Sequence, residues 1–364
     1  MVRPGKKSRT PRKSRARGSG PTVADVARLA GVSPMTVSRV MNASGNVQPA
    51  TCEKVQAAIA ELGYVPNAAA RNLAGGRQCR IALLHANPSS AYLSEFLMGS
   101  LAQASASNAQ LVVEYCEDAD IADVLVAKLR AHRADAVLLA PPLCDDAALI
   151  ANLRDLGLPM AQIATGAPQP GAHAVTIDDL AAARDMTRHL IALGHRRIGF
   201  IAGNTNQTAS TLRRAGFERA LAEAGIALDP ALVRQGDFSY RSGLAAAEAL
   251  FKLDPRPSAI FASNDDMAAA AVATAHRHRL DVPADISICG YDDTAMATTI
   301  WPELTTIRQP VAEMARIATQ LLVEHVRAGT AGCAATHNRL DYTFVRRGSD
   351  GPPGRFAPGP APFS

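Results

Sequence analysis

The stretch Thr22-Val-Ala-Asp-Val-Ala-Arg-Leu-Ala-Gly-Val-Ser-Pro-Met-Thr-Val-Ser-Arg-Val-Met-Asn42 decides the architecture of the N-terminal region. Thr22 followed by Asp25 is the pattern of a capping box, and Val23, Val26, Ala27 and Ala30 then fall on one face of a helix. Gly31 suits the left-handed conformation that ends a helix. Ser33 is placed to cap a second helix, with Pro34 in its first turn and Val37, Val40 and Met41 facing inward. Two short helices joined by so tight a turn cannot bury their apolar faces alone. A third amphipathic segment, with Thr51 as the expected cap and Val55, Ile59 and Leu62 at helical spacing, supplies the cover. Together they predict a three-helix helix-turn-helix head over residues 22–65.

In such heads the second helix enters the major groove of DNA with its early outward side chains at base edges. Here those are Pro34, Met35, Ser38 and Arg39. The Arg39 guanidinium can donate to guanine O6 and N7 together, whereas Pro34 and Met35 offer apolar contact to a thymine methyl. Ser33 and Thr36 suit phosphate contacts, which position without reading sequence. Thr22, at the start of the first helix, joins them as a DNA-contact candidate.

Charge supports a polyanionic partner. Residues 1–20 hold eight Lys/Arg and no acid, and residues 1–80 together carry fourteen basic against three acidic side chains. The rest of the chain is acidic, with twenty-four basic against thirty acidic residues. A basic end on an acidic body docks one end on nucleic acid and keeps the remainder off it. Residues 1–21 read as a disordered basic tail.

With 364 residues and 48% hydrophobic composition, the chain is expected to hold two or three globular domains. No run approaches the roughly 18 apolar residues of a membrane span. The basic N-terminus is not followed by the apolar run of a secretory signal, so a cytoplasmic location is expected. Cys52, Cys79, Cys116, Cys144, Cys289 and Cys333 form no C-x-x-C pair and no Cys/His cluster; they are expected to be reduced thiols rather than a zinc site or a disulfide framework. No phosphate-binding loop, nucleophile elbow or H-E-x-x-H spacing is present, so no cofactor, metal or catalysis is expected. His85, His195 and His276 read as surface or strand-end residues.

After the third helix comes Leu62-Gly-Tyr-Val-Pro-Asn-Ala-Ala-Ala-Arg-Asn-Leu-Ala-Gly-Gly-Arg77. Asn67, a further DNA-contact candidate, is a good cap for a following helix, which is about half the length needed for stability alone in water. This segment, together with Thr22 to Asn42, resembles the lactose-repressor (LacI/GalR) family of bacterial transcription regulators, and the likeness runs from about Thr22 to Arg347. The resemblance implies that residues 66–78 are a hinge helix and linker, that two hinge helices pair in the minor groove, and that Leu73 is the wedge between central base pairs. Wedging and kinking by a leucine is physically sensible.

From Ile81 onward, short β-rich runs (Ile81–Leu84, Leu111–Glu114, Ala136–Ala140, Val175–Ile177, Ile198–Ile201, Ala259–Ala262, Ile286–Cys289) alternate with Ala-rich helical segments. That alternation predicts an α/β fold of parallel βαβ units. The resemblance further implies a periplasmic-binding-protein-like body of two lobes joined by three crossings near Asp178, Gln309 and Leu340. One lobe would then be 79–178 plus 310–339 and the other 179–309 plus 340–347. The Pro/Gly-rich residues 348–364 read as a disordered tail without the leucine heptads that could join two dimers.

Ligands in open α/β sheets sit beyond the carboxyl ends of the strands. Those ends carry Asn87, Asp178, Asn264, Asp265 and Asp292, short polar groups suited to vicinal hydroxyls. The resemblance adds Arg213, Asn264 and Asp292 as effector contacts and Phe238 as a stacking ring, with Tyr92 and Trp301 as further aromatic candidates. The reading is a repressor that binds a roughly palindromic operator as a homodimer and responds to a small sugar or glycoside held between the lobes. A purine or nucleoside corepressor is the alternative effector, and a sugar-modifying enzyme fused to a DNA-binding head is a weaker one.

Overall fold

The computed structural model describes residues 21–41, 47–64, 78–116, 121–329 and 334–354, which fall into two compact units, one ending at Arg77 and the other beginning at Gln78. In the first unit, α1 (Val23–Ala30) opens with the reciprocal capping box: the Asp25 amide donates to Thr22 Oγ1 at 3.4 Å and the Thr22 amide donates to Asp25 Oδ2 at 3.0 Å. Gly31 closes it at φ 66°. Ser33 Oγ accepts from the Thr36 amide at 3.1 Å and so caps α2 (Pro34–Met41). The third helix, α3 (Pro49–Leu62), corrects one expectation. Its N-cap is Gln48 with Pro49 at the first position, and Thr51 lies inside the first turn. Proline's fixed φ is preorganised for that first position, where no N–H is needed. Val26, Ala27, Val37, Val55, Ala58 and Tyr64 form the buried core of this head.

The second unit contains two parallel sheets. The first has the order β11-β5-β4-β3-β1-β2, built from β1 (Arg80–His85), β2 (Gln110–Tyr115), β3 (Ala136–Leu139), β4 (Met160–Ile163), β5 (His173–Thr176) and β11 (His337–Arg339). The second has the order β7-β6-β8-β9, from β6 (Ile198–Ala202), β7 (Val233–Gln235), β8 (Ala259–Ala262) and β9 (Ser287–Cys289). All partners within each sheet run parallel. An antiparallel pair, β10 (Thr306–Arg308) with β12 (Thr343–Val345), lies in neither sheet. On the first lobe α4 (Ser90–Ala106) and the long C-terminal helix Val311–Ala328 pack so closely that a Cβ on Gly99 would lie 1.9 Å from the Ala312 carbonyl oxygen. Helices α5 (Ile121–His132) and α6 (Ala147–Asp155) pack on each other in the same lobe. On the second lobe α7 (Asp179–Ala192) packs on α8 (Thr208–Glu223), and α9 (Tyr240–Phe251) packs on α10 (Asp265–Arg277).

Two other expectations fail. Residues 348–354 are not a disordered tail. Ser349 and Asp350 are buried: Ser349 Oγ accepts from the Thr305 amide at 2.9 Å and donates to Ile288 O at 2.5 Å, while Asp350 Oδ2 accepts from His189 at 2.8 Å. His195 is not a surface residue but is 1% exposed, with Nδ1 2.9 Å from Ser258 Oγ and Nε2 donating to Gly351 O at 2.8 Å. The C-terminal strap thus completes the polar interior of the second lobe, since buried polar groups require partners.

Candidate functional site

Two surfaces carry the candidate residues. On the head, α2 presents Pro34, Met35 and Arg39 to solvent, Met35 being 67% exposed, while Val37 on the opposite face is buried. Ser38 and Thr36 are half-buried beside them. The Ser33 and Thr36 hydroxyls bond each other at 2.9 Å, and Thr22 is occupied in its capping box. Asn67, Leu73 and the rest of the hinge segment lie outside the described residues, as does the basic tail.

In the second unit a cleft of about 330 Å³, mouth included, opens at the carboxyl ends of the strands of both sheets. The first lobe contributes Asn87 and Ser89 after β1, Tyr92 on α4, Pro141 after β3 and Ala164 after β4. The second contributes Gln207, Ala209 and Arg213 at and within α8, Phe238 after β7, Asn264 after β8 and Asp292 after β9. Gln309, directly after β10, closes the set. Thus Asn87, Tyr92, Arg213, Phe238, Asn264 and Asp292 share one cavity.

Asp178 and Trp301 do not join them. Asp178 Oδ1 accepts from the Ala181 amide at 3.0 Å as the N-cap of α7, and its other oxygen accepts from Arg339 at 3.3 Å. A short acid after a strand can face a crevice or cap the next helix, and here it caps. Trp301 is 83% exposed and is not part of the cavity wall. Asp265, also drawn from a strand end, is buried below the site. It accepts from the Thr294 amide at 2.8 Å and from Thr306 Oγ1 at 2.7 Å, tying the loop after Asp292 to the crossing strand β10. Burial pushes its carboxyl up to about 7 against these hydrogen bonds.

Arg213 is the electrostatic centre. It is 4% exposed, donates through Nε to Asp179 Oδ1 at 2.8 Å and through Nη1 to Ser263 O at 2.7 Å, and lies 3.7 Å over the Tyr291 ring. Burial works against its charge, but Asp179, Tyr291 and Asp292 more than offset this, and its pKa is raised. Tyr291 donates to the same Asp179 oxygen at 2.8 Å, so Asp179 aligns both groups from behind the cavity. Asp292 Oδ1 stands 3.7 Å from Arg213 Nη1. Burial pushes the Asp292 carboxyl well above the ordinary carboxylate range, with Arg213 opposing. Asn264 is spent on structure: its Oδ1 caps α10 through the Met267 amide at 3.0 Å, and its Nδ2 donates to Phe238 O at 2.9 Å. The Phe238 ring rests on Gly203, where a Cβ would lie 1.9 Å from Cζ.

Two features set this cavity apart. Three wall residues other than glycine hold left-handed backbone: Ala164 at φ 55°, Phe238 at 71° and Asp292 at 102°. Such strain persists where surrounding structure enforces it, and it clusters at functional sites. In addition, Asp292 Oδ1, Gln309 Oε1 and Nε2, and the Tyr92 hydroxyl are buried with no hydrogen-bond partner among the described residues. Ser89, Gln207 and Gln309 were not identified as cleft residues from the sequence. Gln309 follows a strand of only three residues, too short for its alternation to be read.

Residues 22–67 match the model for bacterial regulatory proteins of the lacI family, and residues 187–349 match a periplasmic binding protein-like domain. The transcriptional regulator CelR of Thermobifida fusca is 37% identical over 325 residues, covering 85% of this chain and 93% of that protein. The chain belongs to the lacI family. As a lacI-family member it is a DNA-binding transcriptional regulator of the repressor kind. The repressor PurR of Photobacterium profundum is 33% identical across 84% of this chain and 92% of its own length. Among solved structures, a CelR-cellobiose complex superposes with a TM-score of 0.68 at 34% identity, covering 90% of this chain and 99% of that one. The lac repressor dimer bound to operator and the anti-inducer ONPF superposes with a TM-score of 0.73 at 30% identity, covering 91% and 99%. The lacI-family body is therefore the unit that carries the cleft, and the lacI-family head is the unit that carries α2.

Proposed function

We propose that the cleft takes a neutral, polyhydroxylated ligand of the sugar or glycoside class and that its occupancy controls operator binding. The observation that carries this reading is the set of unpartnered buried atoms on Asp292, Gln309 and Tyr92. Each unpaired buried polar atom costs about 1–3 kcal/mol, and hydroxyl groups, which donate and accept, can satisfy all of them. The Arg213 charge is already matched by Asp179, so it is not left over for a phosphate. Phe238 supplies a ring face for the apolar side of a pyranose. The cellobiose held by the structurally similar CelR is a ligand of this class. No catalytic constellation is part of this reading: the cleft binds and does not turn over its ligand.

Arg39, Pro34, Met35 and Ser38 read the base edges, and Ser33, Thr36 and Thr22 face phosphate. Pairing of heads on a two-fold operator calls for a homodimer. The first lobe offers a surface for it, with Met98 and Leu101 on α4, Val113 and Tyr115 on the edge strand β2, and Val124 on α5 all exposed. Single exposed apolar residues need no explanation, but five on these elements of one lobe favour a contact surface. The site of action is the cytoplasm, where bacterial chromosomal DNA lies; no helix among the described residues is long and apolar enough to cross a membrane.

Calorimetric titration with a carbohydrate panel and a nucleobase and nucleoside panel tests the ligand class. Binding of a sugar with loss of that binding in Asp292→Asn is the expected result. Binding of nucleobases alone would overturn it.

A further inference from the structure

Helix α8 carries Gln207 at its N-cap and Ala209 and Arg213 within it, so its placement sets one wall of the cleft. Gln207 makes no side-chain cap bond. The missing acceptor comes from the opposite lobe. Asp145, in the turn after β3, accepts from the Thr208 amide at 2.8 Å through Oδ2 and from the Thr208 hydroxyl at 2.9 Å through Oδ1. Thr165 of the same lobe donates to Oδ1 at 2.6 Å and holds the carboxylate in place. Thr208 Oγ1 accepts in turn from the Gly166 amide at 2.5 Å. A Cβ on Gly166 would meet Leu212 Cδ1 at 2.6 Å, so this loop of the first lobe lies against α8. A second contact crosses between the lobes, where Ser89 Oγ donates to Asp266 Oδ2 at 2.5 Å.

We infer that Asp145 is an inter-lobe latch: it caps α8 from the other lobe, and in doing so holds the cleft closed and fixes the helix that presents Arg213. A carboxylate at a helix N-terminus is favoured by the unpaired amides and the helix dipole there, so the contact works only when the lobes are together. The lobe equilibrium is therefore biased toward closure before ligand arrives. Apparent ligand affinity scales with the fraction of molecules in the competent arrangement, so Asp145 tunes affinity without touching ligand. The affinity consequence rests on the cleft being the effector site; the closure itself does not.

Hydrogen exchange read by mass spectrometry on the full ligand-free chain tests it. Asp145→Ala and Thr208→Val should each speed exchange roughly tenfold on both sides of the cleft, in residues 164–167 and 207–210, and also near Ser89. Thr208→Ser keeps both hydrogen bonds and should behave as the parent. Faster exchange confined to the Thr208 amide, or Thr208→Ser opening as far as Thr208→Val, would overturn the latch. Titration with cellobiose gives the second readout: Asp145→Ala should bind roughly tenfold more weakly and Thr208→Ser unchanged. Cellobiose binding to Asp145→Ala with parental affinity would overturn the latch. A parent chain that binds no sugar overturns the ligand class instead, and the exchange measurement then decides the latch by itself.

Discussion

Arg213→Met is the substitution whose cost follows most directly from the geometry. The side chain is 5% exposed and its partner Asp179 is 1% exposed, joined by a 2.8 Å charged hydrogen bond. Methionine fills much of the same volume but leaves Asp179 in the interior with the Tyr291 hydroxyl at 2.8 Å. Ser263 O loses its 2.7 Å donor, and the Tyr291 ring loses the cation over its face. Removing one member of a buried ion pair costs about 3–5 kcal/mol, because the remaining charge is uncompensated. The ligand-free chain should lose about that much in equilibrium urea unfolding followed by far-ultraviolet circular dichroism. The double variant Arg213→Met/Asp179→Leu removes both charges and should recover at least half of the loss, since a buried pair is replaceable by apolar groups of similar size. Both variants should lose effector binding. A single variant destabilised by less than about 1 kcal/mol, or a double variant less stable than the single one, would refute the reasoning.

Gly203→Ala would place a Cβ 1.9 Å from Phe238 Cζ. The ring must leave its seat, so effector affinity should fall while operator affinity in the absence of effector is kept; calorimetry and fluorescence anisotropy separate the two. For pH, burial holds His195 and His173 below the ordinary histidine range. Their stabilising contribution is present above the unfolded value of about 6.5 and is lost as pH falls through the lower folded values. The melting temperature should drop between pH 7 and 5, with a shallower drop in His195→Gln; an equal slope in parent and variant counts against a neutral buried His195. Arg39→Ala should cost about 1–3 kcal/mol of operator affinity and relax preference at one base pair, as read by binding to a panel of singly substituted duplexes. A uniform loss across the panel would make Arg39 a phosphate contact.

The head was legible because its signals are local: the Thr22/Asp25 box, Gly31, Ser33 and Pro34 act within a few residues of themselves. The one error there, Thr51 as cap, came from ranking a hydroxyl above a proline at the first helical position. In the body, every run chosen as a strand overlaps one, but the three-residue strands β7, β10, β11 and β12 are not among those runs, and neither is β4. It places Gln162 in a fully buried strand, where Nε2 donates to Cys144 O at 2.5 Å and Oε1 accepts from the Gln169 amide at 2.8 Å. Only tertiary partners make such a residue tolerable there. The same holds for His195, whose partners Ser258 and Gly351 lie 63 and 156 residues away in sequence. The strap at 348–354 has the composition of a disordered tail, and its order depends on two buried side chains, Ser349 and Asp350. At the cleft, strand ends located Asn87, Asn264 and Asp292 but could not separate a crevice residue from the helix cap Asp178.

The central claim is that the cleft and the head are coupled, and one titration tests it. An operator duplex selected from a random-sequence pool is bound to the full chain, and its affinity is followed by fluorescence anisotropy as a sugar shown to occupy the cleft is added. The ligand shifts the equilibrium by its differential affinity for the two lobe arrangements, and typical couplings are about 5- to 150-fold. Operator affinity should change by a factor in that range in the parent and stay constant in Asp292→Asn, whose operator affinity without sugar equals the parent's. A sugar that saturates the cleft and leaves operator affinity unchanged would contradict the account.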